Sequence, residues 1–260
     1  MVLIGFSTGA VARGDFEPAL ALLGATSMTA VELSALRFGE LPGLISALPH
    51  LDLRQYSYVS IHAPSSFPEA NEENVVGLLE SVAANQPIIL HPDAIFDFGI
   101  WQGLGSRVAI ENMDRRKEVG RSAEELSYFF EKLPEARLCL DLAHAHQVDR
   151  TMTEAYRILK TFGDRVCQLH VSELDSTGHH HPLSFGTMRA FAEIASMIPP
   201  EAAIILESLN PLSGANPQSQ INWIEQEARR ACVSLGRSDR SSEFAAVTAP
   251  FGLMNRAVTA

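Results

Sequence analysis

Residues 138–149 read LCLDLAHAHQVD, an apolar run that passes into groups able to bind protons or metal ions. Alternate residues of a strand share a face, so Leu138 and Leu140 point one way and Cys139 and Asp141 the other. A strand that ends in a carboxylate, with His144 three residues on, either delivers ligands to a pocket or enters an ordinary polar loop. Recurrence decides between them, and the pattern recurs. Apolar runs of strand length stand at 2–7, 30–35, 58–63, 87–92, 107–112, 137–142, 166–171 and 203–208, eight in all. Segments with helical periodicity separate most of them. They include FEPALALLG after the first, NEENVVGLLESVAAN after the third and SAEELSYFFEKL after the fifth. The last opens with Ser122 and Glu125 in capping-box spacing. The link after the fourth strand, around DFGIWQGLG, has room for one or two helical turns.

Continuous apolar strands alternating with helices specify a parallel sheet covered on both faces. Eight such units predict an α/β protein, a single-domain (β/α)8 TIM barrel over residues 1–235. No GxGxxG follows the first strand, which argues against a doubly wound nucleotide-binding sheet. Residues 236–260 lose the periodicity and gain Ser and Arg. They are expected to form a C-terminal tail: a mobile tail, a lid over the barrel mouth, or a dimer arm that would make the protein a homo-oligomer.

Strand phase gives the site. Ser60 and His62 share a face, as do Ile89 with His91, Ala109 with Glu111, Cys139 with Asp141, Gln168 with His170, and Ile205 with Glu207. The opposite faces, such as Ile88 with Leu90 or Cys167 with Leu169, are aliphatic or Cys and are expected to meet the helices. Six consecutive strands thus end in one inward ionisable side chain: His62, His91, Glu111, Asp141, His170 and Glu207. In such barrels the C-terminal strand ends carry the active site. A lone His or Asp at a strand end is commonly a structural residue or a helix cap. Three carboxylates brought together in one mouth are harder to explain that way, because they repel unless a cation compensates them. A divalent metal supplies that charge. Mixed imidazole and carboxylate ligands suit Zn, Mn, Fe or Co better than Ca or Mg. Glu111, Asp141, His170 and Glu207 make one four-ligand set. His62, His91, His144 and His180 remain for further ions or for substrate. Glu32 and Ser34 share the inward face of the second strand, and Glu32 is expected on the pocket floor against the substrate. Arg37, Arg115, Arg116 and Lys117 follow strand ends and are candidates for an anionic group.

The bulk properties narrow the partners. The formal net charge is -11, whereas a protein that grips a phosphate backbone usually carries a basic rim, which argues against nucleic acid. No apolar run approaches the roughly 20 residues of a membrane span, and the start MVLIGFSTGAVARGD reads as a first strand rather than a signal peptide. Cys139, Cys167 and Cys232 form an odd set without CxxC spacing, as expected of free thiols in a cytoplasmic protein.

SIHAP, ILHPD, AIENMD, CLDLAHAHQVD, QLHVSE, HHHPL and ILES follow one another in that order. In this order and phase the chain resembles the xylose isomerase-like barrel superfamily, which holds sugar isomerases and epimerases together with endonuclease IV. The epimerase resemblance implies Glu111, Asp141, His170 and Glu207 as ligands of one metal. Glu111 and Glu207 would double as acid and base on opposite faces of a small sugar or polyol derivative, with His144 touching it. The endonuclease IV resemblance implies more ions. It makes His62 and His91 ligands of a second metal bridged by Glu111, and His144 and His180 part of a third site. That pattern requires an Asp two residues before the loop His, where this chain has Gly178; His179, His181 or Asp175 are the candidate substitutes. The expected cofactor is one to three divalent ions, Zn, Mn or Co. The readings are a metal-dependent isomerase or epimerase, a multinuclear zinc phosphoesterase, and a non-catalytic ligand-binding barrel.

Overall fold

The computed structural model describes residues 2–237, so the expected lid or dimer arm falls, apart from Gly236 and Arg237, outside the described residues. Ten strands appear among them. In chain order they are β1 (Ile4–Ser7), β2 (Ala30–Ser34), β3 (Tyr58–His62), β4 (Ile88–Leu90), β5 (Val108–Glu111), β6 (Arg137–Asp141), β7 (Val166–Val171), β8 (Glu173–Leu174), β9 (His180–His181) and β10 (Ala203–Leu206). All but β8 and β9 pair in parallel and close in the order β1-β10-β7-β6-β5-β4-β3-β2. Each of the eight sits where an apolar run stood in the sequence, and the result is a single (β/α)8 barrel. β8 and β9 form a small antiparallel hairpin beyond the end of β7.

Alternation along the strands sorts the core into two parts. Ile88, Leu90, Val108, Ile110, Leu138, Leu140, Leu169, Val171, Ile204 and Leu206 face outward and join the main core under the helices. Ile89, Ala109, Cys139 and Cys167 form a separate small cluster inside the barrel. Cys167 was expected on the outward face. It turns inward because the register between β6 and β7 shifts, with Leu138 opposite Val166 but Cys139 opposite Gln168. Two consecutive residues then point to the interior, the signature of a β-bulge.

Two further local differences bear on the site. The segment after β6 is a helix, Leu142–Val148, where the sequence suggested only a loop. The capping box at Ser122 forms only in part: Ser122 Oγ accepts from the backbone N–H of Glu125. The Glu125 carboxylate instead accepts from the backbone and guanidinium of Arg121. The last long helix, Pro217–Ser234, ends at the opposite face of the barrel from the mouth. There the Arg237 guanidinium donates to the carbonyls of Ile198 and Pro199, just ahead of β10. No helix among the described residues is long and apolar enough to cross a membrane.

Candidate metal centre

The C-terminal ends of the strands open into a cavity of about 510 Å3. His62, His91, Glu111, His144, His180 and Glu207 reach its lining, and Asp141 and His170 lie fully buried beneath it. Glu111 is the hub. Its Oε2 lies 3.3 Å from His62 Nε2 and 3.4 Å from His91 Nε2. Its Oε1 lies 3.2 Å from His144 Nδ1 and 3.3 Å from His170 Nδ1. His170 Nδ1 is also 3.6 Å from Glu207 Oε2 and 3.9 Å from Asp141 Oδ2.

The residues fit a divalent ion. Glu111, Asp141, His170 and Glu207 each offer a ligand atom, and these atoms all lie within 4.8 Å of one another. Glu111 Oε2, Asp141 Oδ2 and His170 Nδ1 are buried and have no hydrogen-bond partner. Leaving such groups unpaired away from water costs about 1–3 kcal/mol each, and more when charged. A cation at their centre would satisfy all of them together. His62, Glu111 and His170 make a second compact group, and Glu32, His62 and Glu207 a third.

Local structure aims each group. Asp141 has two uses at once: Oδ1 accepts from the His144 backbone N–H, 2.7 Å away, and caps the helix Leu142–Val148. Oδ2 is left for the cluster. Asn112, one residue past β5, holds the end of β6 by two bonds. Its Oδ1 accepts from Asp141 N at 2.7 Å, and its Nδ2 donates to Asp141 O at 2.9 Å. The Asn112 carbonyl also lies 2.8 Å from His144 Nδ1, which turns His144 Nε2 toward the cavity. His62 Nδ1 is occupied by the Ala63 carbonyl at 2.7 Å, so Nε2 faces Glu111.

The three loop histidines separate. His180 enters the site, its Nδ1 bonded to Ser172 Oγ at 2.8 Å and 3.6 Å from Glu207 Oε2. His179 and His181 stay exposed outside it with Asp175. They therefore do not stand in for the carboxylate missing at 178. That place is taken: Gly178 adopts φ +87, and an added Cβ would lie 1.7 Å from Arg116 Nη1. Arg116 donates to the Thr177 carbonyl at 2.6 Å and to Asp114 Oδ2 at 2.6 Å.

Glu32 does not line the pocket. It is fully buried below the cavity, with Oε2 2.9 Å from His170 Nε2, so the expected substrate contact is replaced by one to a site residue. Of the candidate cations, Arg116 and Lys117 reach the cavity, each already paired, with Asp114 and Asp93. Arg37 pairs with Glu40 at the surface. Asp114 and Asn112 were not singled out in the sequence, although both stand in AIENMD; a polar run directly after an inward Glu was the available signal.

The electrostatics split the two cavity glutamates. Burial pushes Glu207 up to about 7, with the carboxylates of Glu111 and Asp141 adding to the effect against the opposing charge of His170. Burial also works to raise Glu111, but His170, His91 and the hydrogen bond from His144 outweigh it. They hold its carboxyl well below the usual carboxylate range. Asp141 is raised to about 6, by burial first and by Glu111 against the charge of His144.

A family model described as xylose isomerase-like TIM barrel matches residues 99–228. The chain belongs to that family. Solved structures share the xylose isomerase-like fold at low identity. A protein from Anabaena variabilis, proposed to be a sugar phosphate isomerase/epimerase, is 13% identical with a TM-score of 0.53, covering 85% of this chain and 88% of its own. SacUVDE is 15% identical with a TM-score of 0.51, covering 87% and 86%. An uncharacterised protein from Parabacteroides distasonis is 13% identical with a TM-score of 0.52, covering 91% and 97%. No curated protein matches the chain in sequence. This xylose isomerase-like barrel thus has its ionisable groups at the face where barrel enzymes carry their chemistry.

Proposed function

We propose that the protein is a divalent-metal-dependent isomerase or epimerase acting on a small sugar or polyol derivative. The observation that carries the reading is the four-residue cluster of Glu111, Asp141, His170 and Glu207, with ligand atoms within 4.8 Å of one another. Two of its members, Glu111 and Glu207, also line the cavity. A bound ion, Mn, Co or Zn, would polarise a carbonyl and the neighbouring hydroxyl of the substrate.

The protein's own groups supply the proton movements. Two carboxylates whose environments push their pKa values apart are suited to opposite duties. Glu207, which lines the cavity at the end of its strand, is placed to take or return a proton of the substrate. Removal of a carbon-bound proton beside the carbonyl gives an enediolate, and return of a proton to the neighbouring carbon or the other face completes the isomerisation or epimerisation. Glu111, held ionised and lining the same cavity, is the second carboxylate of the shuttle, exchanging the proton on the face of the substrate that Glu207 does not reach. His144, with Nε2 free toward the cavity, and the paired Asp114 and Arg116 are placed to bind substrate hydroxyls. Leu36 and Leu209 line the same cavity and help to exclude water.

A second reading is a zinc phosphoesterase of the endonuclease IV type. His62 and His91 favour it, because both aim Nε2 at the unpartnered Glu111 Oε2 and so suit a second ion. Against a third ion stands Arg116, whose guanidinium crowds the position at which that pattern has a carboxylate ligand. A fixed positive charge there repels a third cation.

Elemental analysis of protein purified without chelators, followed by incubation of candidate ketoses in D2O, tests the proposal. About one ion per chain with deuterium entering a carbon–hydrogen position supports it. Two or more ions with phosphate release and no exchange would replace it with the second reading.

A further inference from the structure

Glu32 is a buried carboxylate that the proton movements above leave unused. It lies on the inward face of β2, one inward position below Ser34, which is level with His62. Its Oε2 accepts from Gln168 Nε2 at 2.7 Å and from His170 Nε2 at 2.9 Å. Gln168 Nε2 and His170 Nε2 also lie 2.8 Å from each other, so the three groups form one tight cluster. Gln168 is itself held, its Oε1 accepting from the Tyr58 hydroxyl at 2.9 Å. The chain of bonds therefore runs from Tyr58, at the foot of β3, through Gln168 and Glu32 to one edge of the His170 ring.

The arrangement is directional. A carboxylate oxygen beside a bare ring nitrogen is repulsive, so the Nε2 edge of His170 is the edge that carries hydrogen toward Glu32. The other edge, Nδ1, is turned to Glu111, Asp141 and Glu207 and has no hydrogen-bond partner. Glu32 Oε1 also lacks one. A buried carboxylate with one empty oxygen is a poor way to fill a core, where an apolar residue of like volume is commonly as stable or more so.

We infer that Glu32 is a positioning residue that holds His170 by its Nε2–H so that Nδ1 faces the metal. The inference rests on the metal-centre reading above. Metal-binding histidines are oriented by what their second nitrogen touches, and loss of such a partner typically lowers metal affinity about 10- to 100-fold. Glu32 would act on the affinity and geometry of the centre without touching substrate.

The test is Mn2+ affinity of the full chain, measured by competition with a chelating dye, for the wild type, E32Q, E32L and E72Q. Glu72 is a control: it is also a buried carboxylate, but it accepts from Phe96 N, Asp97 N and Trp101 Nε1, away from the centre. E32L is expected to lose affinity toward the 100-fold end of the range. E32Q, whose amide oxygen still accepts from His170 without the charge, should lose about tenfold. E72Q should melt at a lower temperature yet bind Mn2+ as the wild type does. The rise in melting temperature on adding Mn2+ should shrink in the same order, which loss of core packing alone would not produce. If E32L does not fold, E32Q decides alone. Wild-type affinity in E32Q would overturn the positioning role and leave the metal centre standing. Absence of Mn2+ binding by the wild type would overturn both.

Discussion

Arg116 lies across Gly178 so closely that a Cβ at 178 would sit 1.7 Å from Nη1, and the glycine's φ of +87 closes the turn beneath it. The pair ties the loop that carries His180 to the end of β5. Gly178→Ala is expected to destabilise the fold by about 1–3 kcal/mol from the backbone conformation. It should also push Arg116 off the Thr177 carbonyl. Thermal melts in the wild-type and Arg116→Ala backgrounds separate the two effects, since only the conformational part survives without the guanidinium. Equal melting temperatures for the wild type and Gly178→Ala would contradict the tie.

Glu111→Gln and Glu207→Gln should each lower turnover by at least about 100-fold, the lower end of what a positioned acid or base contributes. Proton NMR in D2O reads the step directly. Exchange of the carbon-bound substrate proton should vanish in Glu207→Gln, and undiminished exchange in both variants would end the acid–base assignment.

Protons partly take the place of metal charge in the cluster. His62 is raised to about 9: burial opposes this, but the close carboxylate of Glu111 and the charge of Glu32 prevail. His144 is raised to about 10, again against burial, by the charge of Asp141 and the bond with Glu111. A folded-state pKa above the ordinary value of about 6.5 gives stability that is complete below that pH and is lost as pH climbs through the folded value. Chelator-treated protein should therefore melt at a lower temperature at pH 10 than at pH 7. Metal-saturated protein should show a smaller fall, because the ion keeps the carboxylates compensated. A flat profile for the chelator-treated form would show that these imidazoles do not hold protons in the fold.

Asn112→Ala removes both bonds to Asp141 and leaves a buried N–H and C=O unpaired. The expected cost is about 1–3 kcal/mol per unsatisfied group, with weaker metal binding because the end of β6 is no longer clamped. Denaturant unfolding and the same dye competition measure the two effects. A loss in neither would mean that water or a neighbour takes over the amide's place.

Much of this was legible in the chain because strand alternation is simple. A period of two, repeated through six strands, places His62, His91, Glu111, Asp141, His170 and Glu207 at one end of one barrel. The bulge at Cys167 was not legible: a register shift depends on how β6 and β7 meet, and no local residue announces it. The helix Leu142–Val148 was hidden for another reason. Asp141 caps it with one oxygen while turning the other to the cluster, and the sequence invites a choice between those uses. Among His179, His180 and His181, only the hairpin of β8 and β9 decides which imidazole turns inward. The place of Arg116 over Gly178 joins two loops far apart in sequence, so spacing could not reveal it.

The division between strand and loop also bears on how such a protein diverges. Glu111, Asp141 and His170 stand on barrel strands and Glu207 directly follows one, so altering any of them disturbs the sheet or its end. His180, Arg116 and Leu209 stand on or beside connections that tolerate exchange far better. Selection can therefore redraw the walls of the cavity, and with them the molecules admitted, while the charged floor is inherited unchanged.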